Sequence, residues 1–156
     1  MKLRKAAMVS VLLCLVAPPA VAQSGPPEVS VEHYVPGLAD IMAALQVRHL
    51  KLYFAGRAQN WELADFELRG LSSGLAEAAM LYSGIPATNV TRLAAPVQSL
   101  SDAVKSKDER KFLDAIGRLT DGCNACHQSM DRKFIAIGLP TRQPFTNQIF
   151  VPQGRK

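Results

Sequence analysis

Apolar residues recur every three or four positions through most of this chain, in four successive stretches separated by short polar breaks. In the first stretch, Leu38, Met42, Leu45, His49 and Leu52 fall at spacings of 4, 3, 4 and 3, which is one face of a helix. Gln46, Arg48 and Lys51 mark its wet side. Pro36 suits a first helical turn, where its missing N–H is no loss, and the helix is expected to end between Gly56 and Asn60. Asn60 is a good N-cap for a second helix with the stripe Trp61, Ala64, Leu68, Leu71, Leu75, Ala78 and Tyr82. Gly70 and Gly74 weaken that helix locally, or else permit close approach of another helix or a ligand. Ser83-Gly84-Ile85-Pro86 ends it.

A third helix is expected from about Val90 to Ser106, with Leu93, Val97, Leu100 and Val104 turned inward. Pro96 within it requires a kink or a start just before it. Lys107-Asp108 is the next turn. The fourth helix begins near Asp108, buries Phe112, Ile116 and Leu119, and is expected to run unbroken through Asp121-Gly122 to about Phe134. Beyond Ile137, Gly138, Pro140, Pro144 and Pro152 forbid a long helix. Phe145, Ile149 and Phe150 are apolar enough to dock, so this tail is expected to lie extended over the helices. Period-two stretches are absent, so the fold class is all-α. Short links make an antiparallel up-down-up-down four-helix bundle with an extended C-terminal tail the natural packing.

The first 22 residues read as a secretory signal peptide. Lys2, Arg4 and Lys5 form a basic start, Ala6 to Val16 is an apolar core too short to span a bilayer, and Ala20-Val21-Ala22 is a cleavage site. Cys14 follows Leu13 rather than a small residue, which argues against a lipid anchor. The expected division is 1–22 signal peptide, 23–35 N-terminal arm, 36–135 helical domain and 136–156 tail. Removing 22 residues from 156 leaves 134, enough for one domain with its own core. It also removes three of the 18 basic residues and no acid, leaving 15 against 13. That balance gives no argument for nucleic acid. Lys105, Lys107, Arg110 and Lys111 cluster at the third turn, as a solvated face or a docking patch for an acidic partner.

Two cysteines then remain, in Cys123-Asn124-Ala125-Cys126-His127. This is C-x-x-C-H, the attachment pattern of a c-type haem. Thiols at i and i+3 face the same way and suit the two vinyl groups on one porphyrin edge, and the adjacent imidazole suits the iron's proximal side. A disulfide across two intervening residues would staple nothing in an exported chain. A zinc site would need another histidine close by, and His33 and His49 lie far upstream.

A signal peptide, four helices and a single C-x-x-C-H on the last of them resemble the class II c-type cytochromes, cytochrome c′ and its low-spin relatives, over roughly residues 36–135. The resemblance implies one covalently held haem c near one end of a bundle, with His127 as fifth ligand to the iron. It implies that the side chain facing the iron's other side comes from the first helix. Met42 matches the ligand of low-spin members, and an antiparallel bundle brings the start of helix one near the level of His127. His49, on the same stripe seven residues on, is the rival; about 10 Å of axial rise separates the two, so both cannot bind one iron. Met80 lies off the inner stripe, and Met130 falls on the proximal side.

Three and four residues after His127 this chain has Met130 and Asp131, where cytochrome c′ commonly has an aromatic residue and an arginine. Asn89-Val90-Thr91 matches a glycosylation sequon but reads more simply as a helix cap. The expectation is a periplasmic monohaem cytochrome, monomer or homodimer and without a membrane anchor once cleaved. It would carry single electrons between redox partner proteins and is not expected to be an enzyme. The alternative is a gas-binding haem protein of the cytochrome c′ kind, binding nitric oxide or carbon monoxide.

Overall fold

The computed structural model describes residues 34–154. The expected signal peptide and the expected arm up to His33 lie outside them. One compact unit, from Val35 onward, holds every described helix. There are four: α1 Leu38–Arg57, α2 Trp61–Leu81, α3 Ala87–Ser106 and α4 Glu109–Ser129. Among the described residues there is no strand, and no helix is long and apolar enough to cross a membrane. The chain is all-α, as its periodicity requires.

Local chemistry sets the helix ends. Asn60 Oδ1 accepts the Leu63 N–H at the start of α2, and Asp108 Oδ1 accepts the Lys111 N–H at the start of α4. At the other ends, Gln59, Lys107 and Asp131 take left-handed conformations with φ near 54°, 55° and 56°. In each case the next amide reaches back to close the last turn: Asn60 to the Ala55 carbonyl, Asp108 to Ala103 and Arg132 to His127. The last of these stops α4 at Ser129, five residues short of the Phe134 expected from the sequence.

The third helix also differs from expectation. It begins at Ala87, three residues early, with the chain entering through Pro86 at φ −62°. Neither Asn89 nor Thr91 caps it. The Thr91 hydroxyl instead donates back to the Ala87 and Thr88 carbonyls. Pro96 stays inside the helix. The carbonyl deprived of its helical partner belongs to Arg92, which is exposed, so water can serve it.

The helices touch in a ring, α1 with α2, α2 with α3, α3 with α4 and α4 with α1, the last contact being the slightest. Leu52, Leu100, Phe112, Ile116 and Leu119 are completely enclosed at its centre. Four glycines make close helix pairs possible. A Cβ on Gly56 would occupy the Phe112 ring, and one on Gly122 would lie 2.7 Å from Leu93. Gly70 and Gly74 do the same for α1, facing Arg48 and Leu45. Arg48, expected on the wet side, is half-buried. It pairs at 2.9 Å with Glu67, which is buried.

Among the described residues after Met130 there is no further helix. Phe145 and Phe150 pack together, and Phe150 is buried against Phe54 of α1. Lys51 lies over the Phe145 ring. Ile149, expected to dock with them, is exposed.

Candidate functional site

Cys123, Cys126 and His127 lie in the last two turns of α4, which runs through Asp121-Gly122 without a break. Both thiols are free and half-buried, and Cys123 packs against the core. Burial, and then the neighbouring Cys126, pushes the Cys123 thiol up to about 11. Burial raises Cys126 as well. This is the opposite of the lowered thiol that a dithiol redox enzyme needs for attack. Among the described residues no three His, Cys, Asp or Glu side chains come together as a metal-binding group.

His127 is held by the chain that follows it. Its Nδ1 lies 3.0 Å from the Ile135 carbonyl oxygen. A carbonyl only accepts, so Nδ1 carries the proton and Nε2 keeps a lone pair. The Asn124 side chain fixes the same stretch twice, donating to the Ile137 carbonyl at 2.9 Å and accepting the Ile137 N–H at 2.7 Å. The Ile135 N–H to Arg132 carbonyl bond, 2.8 Å, closes the turn between them. This arrangement leaves no mark in the sequence, because no periodicity encodes a loop that folds back on its own helix.

His49 sits elsewhere, 3% exposed, with Nε2 2.8 Å from the Thr120 hydroxyl oxygen. That hydroxyl donates its one proton to the Ile116 carbonyl. It must therefore accept from His49, whose Nε2 carries the hydrogen. Burial lowers the pKa of His49 from the usual 6.5, so the folded ring stays neutral where the unfolded one is charged. The unfolded chain then binds more protons as pH falls below 6.5, and stability drops with it. Denaturant midpoints should therefore fall between pH 7.5 and 5.5 in the wild type. The slope should be shallower in His49→Gln; an unchanged slope would remove His49 from the account.

Met42 is half-buried and packs on the core from the first turns of α1. Met80 points outward, 78% exposed. Asn89, in the first turn of α3, is 4% exposed, so its side chain is closed to a glycan. Its Oδ1 accepts from the Ser129 hydroxyl at 3.2 Å, and its Nδ2 has no partner. The sequence offered no signal for that burial, since an asparagine at a helix start ordinarily reads as a cap.

No family model, no curated protein and no solved structure matches this chain.

Proposed function

We propose that this protein is a periplasmic monohaem c-type cytochrome of the class II kind, carrying single electrons between redox proteins, with His127 and Met42 as the side chains that would hold its iron. The observation that carries the reading is the His49–Thr120 hydrogen bond, because it pins α1 against α4. In an antiparallel pair, two turns back along α1 from His49 is Met42, and two turns on along α4 from Thr120 is His127. The two side chains then stand at one level.

Other contacts favour the same up-down-up-down bundle. Arg57 lies 4.0 Å from Glu109 at one end of the α1–α4 pair. The Tyr82 hydroxyl donates to the Pro36 carbonyl at 2.7 Å, joining the end of α2 to the approach to α1. Ser129 and Asn89 join the end of α4 to the start of α3. The slight α1–α4 contact is the seam on which both ligands would lie.

The donor set suits haem c. Two protonated thiols one turn apart fit addition to two vinyl groups, each sulfur joining one carbon of a C=C bond and its hydrogen the other, so no oxidant is needed. The Ile135 carbonyl holds the His127 ring by Nδ1 and leaves Nε2 to face a metal. His49 offers no lone pair at the Nε2 that Thr120 engages. A bound haem supplies an iron that takes up and returns one electron. The Met42 thioether is a soft donor that favours the reduced iron and raises its potential. Taking up and returning an electron needs no bond-making on a substrate, so the proposed role is carriage.

The test is the mature protein from a host that attaches haem c. Haem peroxidase stain should stay on the polypeptide through a denaturing gel, at a mass of residues 23–156 plus one haem. The ferric spectrum should be low-spin. Stain lost on denaturation would end the haem reading, and a high-spin spectrum would favour the gas-binding alternative.

A further inference from the structure

We propose that residues 131–142 form a docking face for an acidic redox protein. The proposal rests on the cytochrome reading and names the surface through which its partner would approach. Charge is unevenly shared along the mature chain. Residues 130–156 hold five basic residues and one acid, which leaves ten basic and twelve acidic for residues 23–129. The four helices are balanced, nine basic residues against nine acidic, and the segment after α4 carries the positive excess.

The cations of the helices largely find partners. Arg48 pairs with Glu67, Arg57 with Glu109, Arg69 with Asp65, Lys111 with Asp108 and Arg118 with Asp114. Among the described residues no carboxylate pairs with Arg132, Lys133 or Arg142, and all three are exposed. The Arg132 guanidinium reaches only the Met130 and Asp131 carbonyls of its own turn. The other basic cluster, at the α3–α4 turn, is interleaved with Asp108 and Glu109. It also begins α4, about 24 Å of helix rise from His127.

Between these cations stand large apolar side chains in water: Phe134 is 77% exposed, Ile135 43% and Leu139 42%. Aromatic and aliphatic contacts ringed by one sign of charge are the make-up of a docking patch, the charge steering the encounter and the apolar part holding it. The patch is also held in place. The paired Asn124–Ile137 hydrogen bonds and the His127–Ile135 bond fix its middle to the last turns of α4. A partner seated here would touch the residue whose carbonyl holds the proximal imidazole.

The test uses mature holoprotein on gold coated with a carboxylate-terminated monolayer, read by voltammetry at low salt. Wild type should adsorb, show a one-electron couple, and leave the surface as salt is raised to about 0.15 M. Arg132→Glu with Lys133→Glu should cut the adsorbed couple roughly tenfold, and Lys105→Glu with Lys107→Glu should leave it in place. Haem stain on each variant beforehand separates the two readings: a protein without covalent haem overturns the cytochrome reading itself. A stained Arg132→Glu, Lys133→Glu variant that adsorbs like wild type overturns the docking face alone. So does loss caused by the Lys105→Glu, Lys107→Glu variant. Wild type held on phosphatidylglycerol vesicles at about 0.15 M salt, and released by the Arg132→Glu, Lys133→Glu change, would overturn it in favour of a membrane surface.

Discussion

Replacing Cys123 and Cys126 together with alanine should abolish haem stain on the polypeptide and leave a bundle that melts early. The first effect is chemical, because no sulfur remains to bond the porphyrin. The second follows from position. Cys123 packs against the core from α4, whose contact with α1 is the slightest of the ring, so a bound group between them would add apolar contact. Single replacements should separate the effects, each keeping one thioether and much of the fold. Gel stain and thermal unfolding by circular dichroism read both. A double variant that still stained would place the attachment elsewhere.

Met42→Ala should move the iron from low to high spin. The ferric protein should lose any sulfur-to-iron charge-transfer band, its potential should fall, and the reduced protein should bind carbon monoxide faster because no thioether has to be displaced. Truncating a half-buried methionine also costs stability, about 2 kcal/mol. The spectrum is therefore the deciding measurement, and Met42→Leu, which keeps the volume, should show the same spectral change with less loss of stability. His49→Gln should leave the spectrum alone, since the His49 ring is committed to Thr120. The opposite result, with His49 essential to the low-spin state and Met42 silent, would make this a bis-histidine protein.

The helices were legible because burial on one face writes a period of three or four into the sequence. Asn60 and Asp108 announced two starts by side-chain chemistry that any asparagine or aspartate can perform. The ends were harder. Gln59, Lys107 and Asp131 occupy left-handed positions that glycine usually marks, so the stop of α4 left no trace in composition. Arg48 reads as part of the wet side of α1, yet it reaches across to the buried Glu67. The motif itself was plain, since two cysteines and a histidine at fixed spacing need no tertiary context. What orients the histidine was not plain: Ile135 and Ile137 contribute backbone atoms, and backbone atoms carry no sequence signature.

The hydrogen bond between His49 and Thr120 has a consequence for how this chain tolerates change. In the proposed register, the two steps of seven residues from 42 to 49 and from 120 to 127 act as matched spacers of about two turns each. Substitutions within them alter contacts and leave the phase intact. A single inserted or deleted residue in either stretch would swing its ligand about 100° around the helix, away from the seam. Length in these stretches is therefore guarded as closely as Leu45, Arg48, Gly122, Cys123, Asn124 and Cys126 within them.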